Sequence, residues 1–143
     1  ELQRLELPKD YRPSDDEPFM NDRQLEYFRR KLVARKQELL DQSAETLEGL
    51  QDSGRNVPDI ADRASEETDR SIELRTRDRQ RKLISKIDAA LRRIETGDYG
   101  YCDETGEPIG LARLMFRPTA KLCIEAKERQ EQQEHHYRKA RWG

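Results

Sequence analysis

The chain has 143 residues, of which 41% are charged and only 33% are hydrophobic, and its formal net charge is -2. So few apolar side chains do not fill an ordinary compact core, which leaves either disorder or long helices that each bury one narrow stripe. The nearly balanced charge excludes a single-sign field that would recruit nucleic acid or a membrane surface, and no apolar run of about 18 residues is present to span a bilayer.

The segment that opens the chain lacks the pattern of a secretory signal, a basic stretch followed by an apolar one. Two cysteines without an export signal favour the reducing cytoplasm. The length allows one domain, or one extended element with a small domain. We therefore expect a cytoplasmic protein with no membrane association.

Residues 1–20 contain three of the six prolines and are predicted to form an irregular N-terminal arm that is part of a globular base. A helix is predicted to follow, because Asn21 as N-cap and Gln24 have the spacing of a capping box. Apolar residues then recur mostly at steps of three and four, as in one seam of a coiled coil. They are Leu25, Phe28, Leu32, Leu39, Leu47 and Leu50.

A second helix is predicted over residues 60–96, after a turn marked by Gly54, Asn56 and Pro58. Its second half carries an apolar seam made by Leu83, Ile84, Ile87, Leu91 and Ile94. Two long helices joined by a short turn run antiparallel. Residues 21–96 are therefore predicted to form an antiparallel two-helix coiled coil whose tip lies at 51–64.

At the predicted tip, Asp59 and Asp62 are three residues apart, so they lie on one face at a helix start. In one interpretation Asp59 caps the helix and Asp62 binds a first-turn amide. In the other, the two carboxylates are held at the end of a long arm to act inside a partner. The pattern supplies no base, nucleophile or enclosed cavity beside them, so we do not predict an enzyme.

Residues 97–143 are predicted to form a turn-rich segment followed by a helix from about Leu122 to Arg141. Cys102 and Cys123 stand where two Cys-x-x-Cys pairs of a four-cysteine zinc site would begin, but the partner positions hold Thr105 and Ala126. The two histidines, at 135 and 136, are about 18 Å further along a continuous helix, too far to complete the site.

We therefore predict a degenerate zinc-finger-like domain without zinc, in a mainly α fold with a long coiled coil and a C-terminal helix. Apolar packing has to replace the ion; the residues predicted to do so are Tyr99, Tyr101, Ile109, Leu111, Leu114, Leu122 and Ile124. The two thiols are either a redox switch or two small buried apolar groups.

The sequence resembles the DksA family of bacterial transcription factors over residues 20–127. The resemblance rests on MNDRQLEYFRRKL, DIADRAS, ELRTRDRQRKLISKI, GDYGYC and RPTAKLCIEAK, which occur in the family's order and spacing. It implies a monomer that binds RNA polymerase directly without binding DNA, and a coiled coil that enters the secondary channel. It also implies altered open-complex stability at ribosomal RNA and biosynthetic promoters, strengthened by guanosine tetraphosphate. The family's zinc-independent members carry the same kind of cysteine replacement.

By match to the family's motifs, Asp59, Asp62 and Ala64 are tip residues. The positions matching alarmone contacts are Leu83, Lys86, Arg117 and Lys127, and those matching polymerase contact or activity are Arg79 and Arg113. Clustered Arg and Lys suit polyphosphate recognition, although each is also an ordinary surface cation by itself. No Gly-rich phosphate loop is present, so a self-sufficient nucleotide site is not predicted.

Two other functions remain as alternatives. A Gre-type transcript-cleavage factor also places acidic residues at a coiled-coil tip, but Gre proteins carry a larger β-rich C-terminal domain and a different tip pattern. A plain coiled-coil adaptor would have no role at the polymerase.

Overall fold

The computed structural model describes the backbone of residues 5–53 and 60–142, and the side chains of these ranges except at 46, 48–53, 60–63, 141 and 142. Four helices make up the fold within these ranges: α1 (Asp22–Ser53), α2 (Ile60–Thr96), α3 (Leu111–Phe116) and α4 (Ile124–Trp142). The described residues include no strand, only an isolated antiparallel bridge between Tyr101 and Pro108. The predicted mainly α fold, with a coiled coil and a C-terminal helix, is confirmed.

The start of α1 is fixed by the predicted capping residues, with one shift. The Asn21 side chain accepts a hydrogen bond from the Gln24 backbone N–H at 2.9 Å, as an N-cap should. The Gln24 side chain, however, accepts from the backbone N–H of Met20 at 2.8 Å, one residue before the cap. The reciprocal bond of the capping box therefore anchors the chain that enters the helix.

The arm that precedes α1 is tied to the first turns of that helix. The Gln24 amide donates to the carbonyl of Ser14 at 3.1 Å, and Arg30 donates to the carbonyl of Leu5 at 2.6 Å. Glu26 is buried and holds Arg30 and Arg29 in ion pairs of 2.9 and 2.7 Å. The bonds from Gln24 and Arg30 therefore fix the position of an arm that makes few backbone hydrogen bonds of its own.

The chain divides into two compact units. The first, which we call the terminal unit, comprises the residues up to Leu32 and those from Ala89 onward. Its core is centred on Phe28 and Tyr99, whose ring centroids are 5.6 Å apart. The other buried apolar residues of this unit are Met20, Leu32, Ala90, Ile94, Cys102, Ile109, Leu111, Leu114, Leu122, Cys123 and Ala126.

Tyr99 combines burial with a satisfied hydroxyl. Its side chain is 1% exposed, and its hydroxyl donates to the carbonyl of Pro118 at 2.7 Å. Burial raises the pKa of this phenol, so it stays a neutral donor. The bond fastens the chain after α3 to the aromatic core and so positions the residues that lead into α4.

Gly100 lies where the terminal unit brings two backbone segments close together. Its φ is +93°, and an added Cβ would lie 2.6 Å from the Cγ atom of Met20, which is itself buried. Both the backbone angle and the contact therefore require glycine.

We expect Gly100→Ala to lower the free energy of unfolding by about 2 kcal/mol or more, because it adds overpacking to backbone strain. Gly106→Ala is the matched control: its φ is +74°, and an added Cβ there has no neighbour within 4 Å. Urea unfolding of both variants measures the difference. Equal losses would show that contact with Met20 contributes nothing.

The second unit, which we call the helix-pair unit, spans Val33–Asp88. Lys36 pairs with Asp88 at 2.7 Å, and Ser43 donates to Gln80 at 3.0 Å. Moving forward along α1 corresponds to moving backward along α2, about two turns in each. The helices of this unit therefore pack antiparallel, as predicted for two long helices joined by a short turn.

The buried face of the helix-pair unit changes from apolar to polar along its length. Leu39 and Ile87 are each 2% exposed, whereas the next buried position on α2 is Gln80, which bonds to Ser43 and to Gln42 at 3.3 Å. Leu47, predicted in the seam, is 37% exposed, so that prediction is wrong. It lies past the polar layer that Ser43 and Gln80 form.

Candidate functional site

Arg79, Leu83 and Lys86 lie on one face of α2, because their spacing of four and three residues keeps them within one helical stripe. Arg79 and Lys86 are exposed, and Leu83 is half-buried because it borders the buried positions Gln80 and Ile87. The result is a cationic stripe with an apolar centre, a suitable surface for an anionic ligand or partner.

Ile72 extends this stripe and was not singled out in the sequence. It stands seven residues before Arg79, hence on the same side of α2, and it is 55% exposed. In the sequence, Ile72 looks like any apolar residue of a helix that packs against a neighbour. Its exposure in the structure is what marks it as a surface residue. We call Ile72, Arg79, Leu83 and Lys86 the α2 stripe.

The predicted tip lies largely beyond the part of the chain that the structure describes. Asp59 falls outside the described residues, and for Asp62 only the backbone is described, within the first turn of α2. Ala64 is exposed, and its carbonyl accepts a hydrogen bond from the Thr68 hydroxyl at 3.0 Å.

The remaining predicted cations lie in the terminal unit. Arg113, in the last turn of α3, donates through Nε to the carbonyl of Leu122 at 2.9 Å and so braces the chain that enters α4. Arg117 is exposed at the end of α3. Lys127 is half-buried in α4, with only a 3.4 Å bond from Nζ to Gln130. Of these three cations, Arg117 and Lys127 are therefore more available than Arg113 to contact a ligand or partner.

The two cysteines of the terminal unit are close together. The Thr105 hydroxyl and the backbone N–H groups of Cys123, Thr105 and Glu104 surround the Cys102 thiol and favour its thiolate form. That hydroxyl lies 4.0 Å from the sulfur of Cys123. The loop that follows Cys102 thus directs hydrogen-bond donors toward the Cys102 sulfur, and the backbone N–H of Cys123 is a further donor.

The donor set does not fit a structural zinc ion, which takes four ligands. Thr105 offers a hydroxyl in place of a thiolate, and Ala126, fully buried, offers a methyl group. Among the described residues, no group of three or more His, Cys, Asp or Glu is placed to hold a metal. His135 and His136 are exposed on α4.

Most of the apolar residues predicted to pack around this site are buried. Tyr101 is half-buried, and the ones that are buried are Tyr99, Ile109, Leu111, Leu114 and Leu122. The prediction for Ile124 is wrong, because this side chain is 52% exposed. Ile124 opens α4, and the buried residue in the first turn of that helix is Ala126, three residues after the buried Cys123.

The pKa of the Cys102 thiol is shifted by these surroundings. Burial favours the neutral form, but the Thr105 hydroxyl and the backbone N–H groups of Cys123, Thr105 and Glu104 together outweigh it and lower the pKa to about 6. At neutral pH the Cys102 sulfur is therefore largely a thiolate, held by hydrogen bonds.

This shift predicts a pH dependence of stability. The folded protein releases the Cys102 proton near pH 6, while the unfolded chain holds it to its ordinary value of 9.0. Between these values the unfolded state binds more protons, so the free energy of unfolding should rise with pH and lose this contribution as the pH falls through about 6. Urea unfolding under reducing conditions, across this range, measures it. Cys102→Ser should flatten the rise; an unchanged slope would contradict the assignment.

These features define a class of protein: an antiparallel helical coiled coil in one chain with a finger-type segment that retains half of its cysteines. Two family models match the chain, the N-terminal domain of the DnaK suppressor protein DksA at residues 24–94 and the prokaryotic dksA/traR C4-type zinc finger at residues 97–132. The chain belongs to the DksA family.

Curated relatives match over most of their length. The RNA polymerase-binding transcription factor DksA of Caulobacter vibrioides is 68% identical over 129 residues, covering 90% of this chain and 91% of that protein. Its namesake in Escherichia coli is 47% identical, covering 82% of this chain and 78% of that protein. The solved structure of transcription factor DksA2 from Pseudomonas aeruginosa is similar at a TM-score of 0.78 and 49% identity, covering 82% of this chain and 91% of that one.

Proposed function

We propose that this protein is a transcription regulator that binds RNA polymerase directly and acts there without catalysing a reaction. The observation that carries the proposal is the 68% identity, over 90% of the chain, to a relative named for binding RNA polymerase. In this proposal the coiled coil enters the secondary channel and brings Asp59, Asp62 and Ala64 toward the catalytic centre. The protein works as a cytoplasmic monomer and does not contact DNA itself.

The α2 stripe supports a role in partner contact. Arg79 and Lys86 expose their charges beside the half-buried Leu83, and no described ion pair neutralises either cation. In the terminal unit, Arg117 is exposed and Lys127 makes only a long bond. We assign Leu83, Lys86, Arg117 and Lys127 to guanosine tetraphosphate at the polymerase interface, and Arg79 with Arg113 to the polymerase.

The regulatory action proposed is a change in open-complex stability at ribosomal RNA and biosynthetic promoters, strengthened by guanosine tetraphosphate. Zinc is not required, because the hydrogen-bonded Cys102 sulfur, the buried Ala126 methyl group and the aromatic core around Tyr99 take the place of the ion.

In vitro transcription with purified polymerase tests the proposal. The protein should lower output from a ribosomal promoter, and guanosine tetraphosphate should deepen the effect. Addition of a zinc chelator should leave it unchanged. A plain adaptor would change neither the output of the promoter nor its response to the alarmone. An unchanged output, or an output that the alarmone does not lower further, would contradict the proposed function.

The same preparation separates this function from transcript cleavage. A backtracked elongation complex incubated with the protein should keep its nascent RNA intact. Shortened RNA that depends on Asp62 would instead indicate a Gre-type activity.

A further inference from the structure

Gln80 is a buried polar residue at the end of an apolar seam, and the proposed polymerase contacts do not use it. Its side chain is 7% exposed and lies between the two helices of the helix-pair unit. Ile87, seven residues further along α2, is buried on the same side, as is Leu39 on α1. Glutamine is mostly an exposed residue, so an amide at such a position needs a physical reason.

The Gln80 amide is matched at both ends by neighbouring residues of α1. Its oxygen accepts a hydrogen bond from the Ser43 hydroxyl at 3.0 Å, and its nitrogen donates to the side-chain oxygen of Gln42 at 3.3 Å. Apolar contacts are exchanged when two helices slide past one another, whereas this pair of bonds is directional and forms in one alignment. A slide would leave the buried amide without these partners, which is costly in a seam of low dielectric.

Gln80 is also the last buried position on α2 before the predicted tip. Among the described side chains that precede it on α2, from Ala64 to Arg79, none is buried. On α1, the described side chains beyond Ser43, at 44, 45 and 47, are all exposed. In this described part, the polar layer is therefore the constraint nearest the tip that fixes how the two helices are aligned.

The polar layer and the predicted tip belong to the same helix. Asp62 stands eighteen residues before Gln80 on α2, about 27 Å along its axis, and a slide by one helical turn would displace it by about 5.4 Å. We infer that Gln80 is a positioning residue that, through Ser43 and Gln42, fixes the alignment of α1 and α2 and with it the height at which Asp62 meets the polymerase. The inference rests on the proposed function, in which Asp62 acts near the catalytic centre.

A positioning role predicts that stability and regulation separate in Gln80→Leu. This substitution extends the apolar seam from Ile87 and removes the cost of burying an amide, while the half-buried Ser43 and the exposed Gln42 bond to water instead. Its melting temperature should equal or exceed that of wild type. Without the directional bonds, alignments one turn apart become comparable in free energy. The fraction of molecules in the native alignment then falls, and the regulatory effect falls by about twofold or more.

Double electron–electron resonance between spin labels at Glu45 and Ala64 measures the alignment in the full-length protein without polymerase. Both residues are exposed in the helix-pair unit, and labels carried by unnatural amino acids leave the native cysteines untouched. Wild type should give one narrow distance distribution, and Gln80→Leu a broadened or divided one. Ser43→Ala, which removes one of the two bonds, should broaden it less. Gln37→Leu makes the same chemical change at an exposed position of α1 and should match wild type.

The same variants are compared in transcription at a ribosomal promoter, at one subsaturating protein concentration, together with their melting temperatures. Gln80→Leu should melt no lower than wild type and regulate at least about twofold less. An unchanged distance distribution, regulation equal to wild type, or a loss of regulation that follows a lowered melting temperature would each overturn the positioning role. The distance measurement contains no polymerase, so a wild-type protein that fails to regulate contradicts the proposed function alone and leaves the alignment result standing.

Discussion

Asp62→Asn is expected to leave the protein bound to RNA polymerase and to remove its effect on a ribosomal promoter. The substitution keeps the size of the side chain and removes only its negative charge, so helix packing is retained. A tip carboxylate that acts near the catalytic centre contributes through charge, and we expect the regulatory effect to fall by about tenfold or more, the scale of one lost charge-assisted contact. Binding measured by competition and transcription measured at one promoter separate the two properties.

Asp69→Asn is the matched control for this variant. Asp69 stands seven residues further along α2, on the same side of the helix as Asp62, and it is exposed. It should behave as wild type in both assays. Loss of regulation in both variants would indicate a general charge effect, and full activity of Asp62→Asn would remove the tip from the proposed mechanism.

Thr105→Cys combined with Ala126→Cys is expected to rebuild a four-cysteine zinc site. Both positions are three residues after an existing cysteine, the Thr105 hydroxyl already lies 4.0 Å from the Cys123 sulfur, and Ala126 is fully buried on the inward face of α4. Zinc binding is worth about 10–16 kcal/mol in zinc-finger peptides that fold on the ion, so even a fraction of that gain should raise the melting temperature strongly.

Native mass spectrometry measures the outcome directly, as one zinc per chain in the double variant and none retained by wild type after dialysis against a chelator. The variant with serine at both positions controls for the substitutions, since a hydroxyl does not replace a thiolate. A double variant without zinc would show that these positions do not converge. Zinc retained by wild type would contradict the metal-free proposal.

The sequence predicted the parts of the fold that repeat. The three- and four-residue steps identified Phe28, Leu32, Ile87 and Ile94 as buried, because periodic apolar residues can be covered only along one side of a helix. The polar layer at Gln80 was not predicted, because a glutamine in a sequence is usually exposed and only its partners Ser43 and Gln42 show that it is buried. The prediction for Leu47 was wrong for a related reason, because the exposure of this side chain depends on which side chains the facing helix places opposite it.

The C-terminal segment was harder to predict, because its contacts join residues distant in the chain. α3 is a six-residue helix, too short to show a period, and the exposure of Ile124 follows from where α4 begins. The bond from Arg113 to the Leu122 carbonyl is likewise a contact between segments. Motif matching placed Arg113 among the candidate functional residues, whereas its geometry adds a bracing role that no spacing rule reveals.

The most direct test of the account is site-specific photocrosslinking from position 64 to RNA polymerase. Ala64 is exposed near the start of α2, two residues after Asp62, so a photoreactive residue there reports the position of the tip with little effect on packing. We expect crosslinks to polymerase segments that line the secondary channel beside the catalytic centre, and their loss when a bulky group blocks that channel. Crosslinks confined to the outer surface of the polymerase, or none at all from a bound complex, would contradict it.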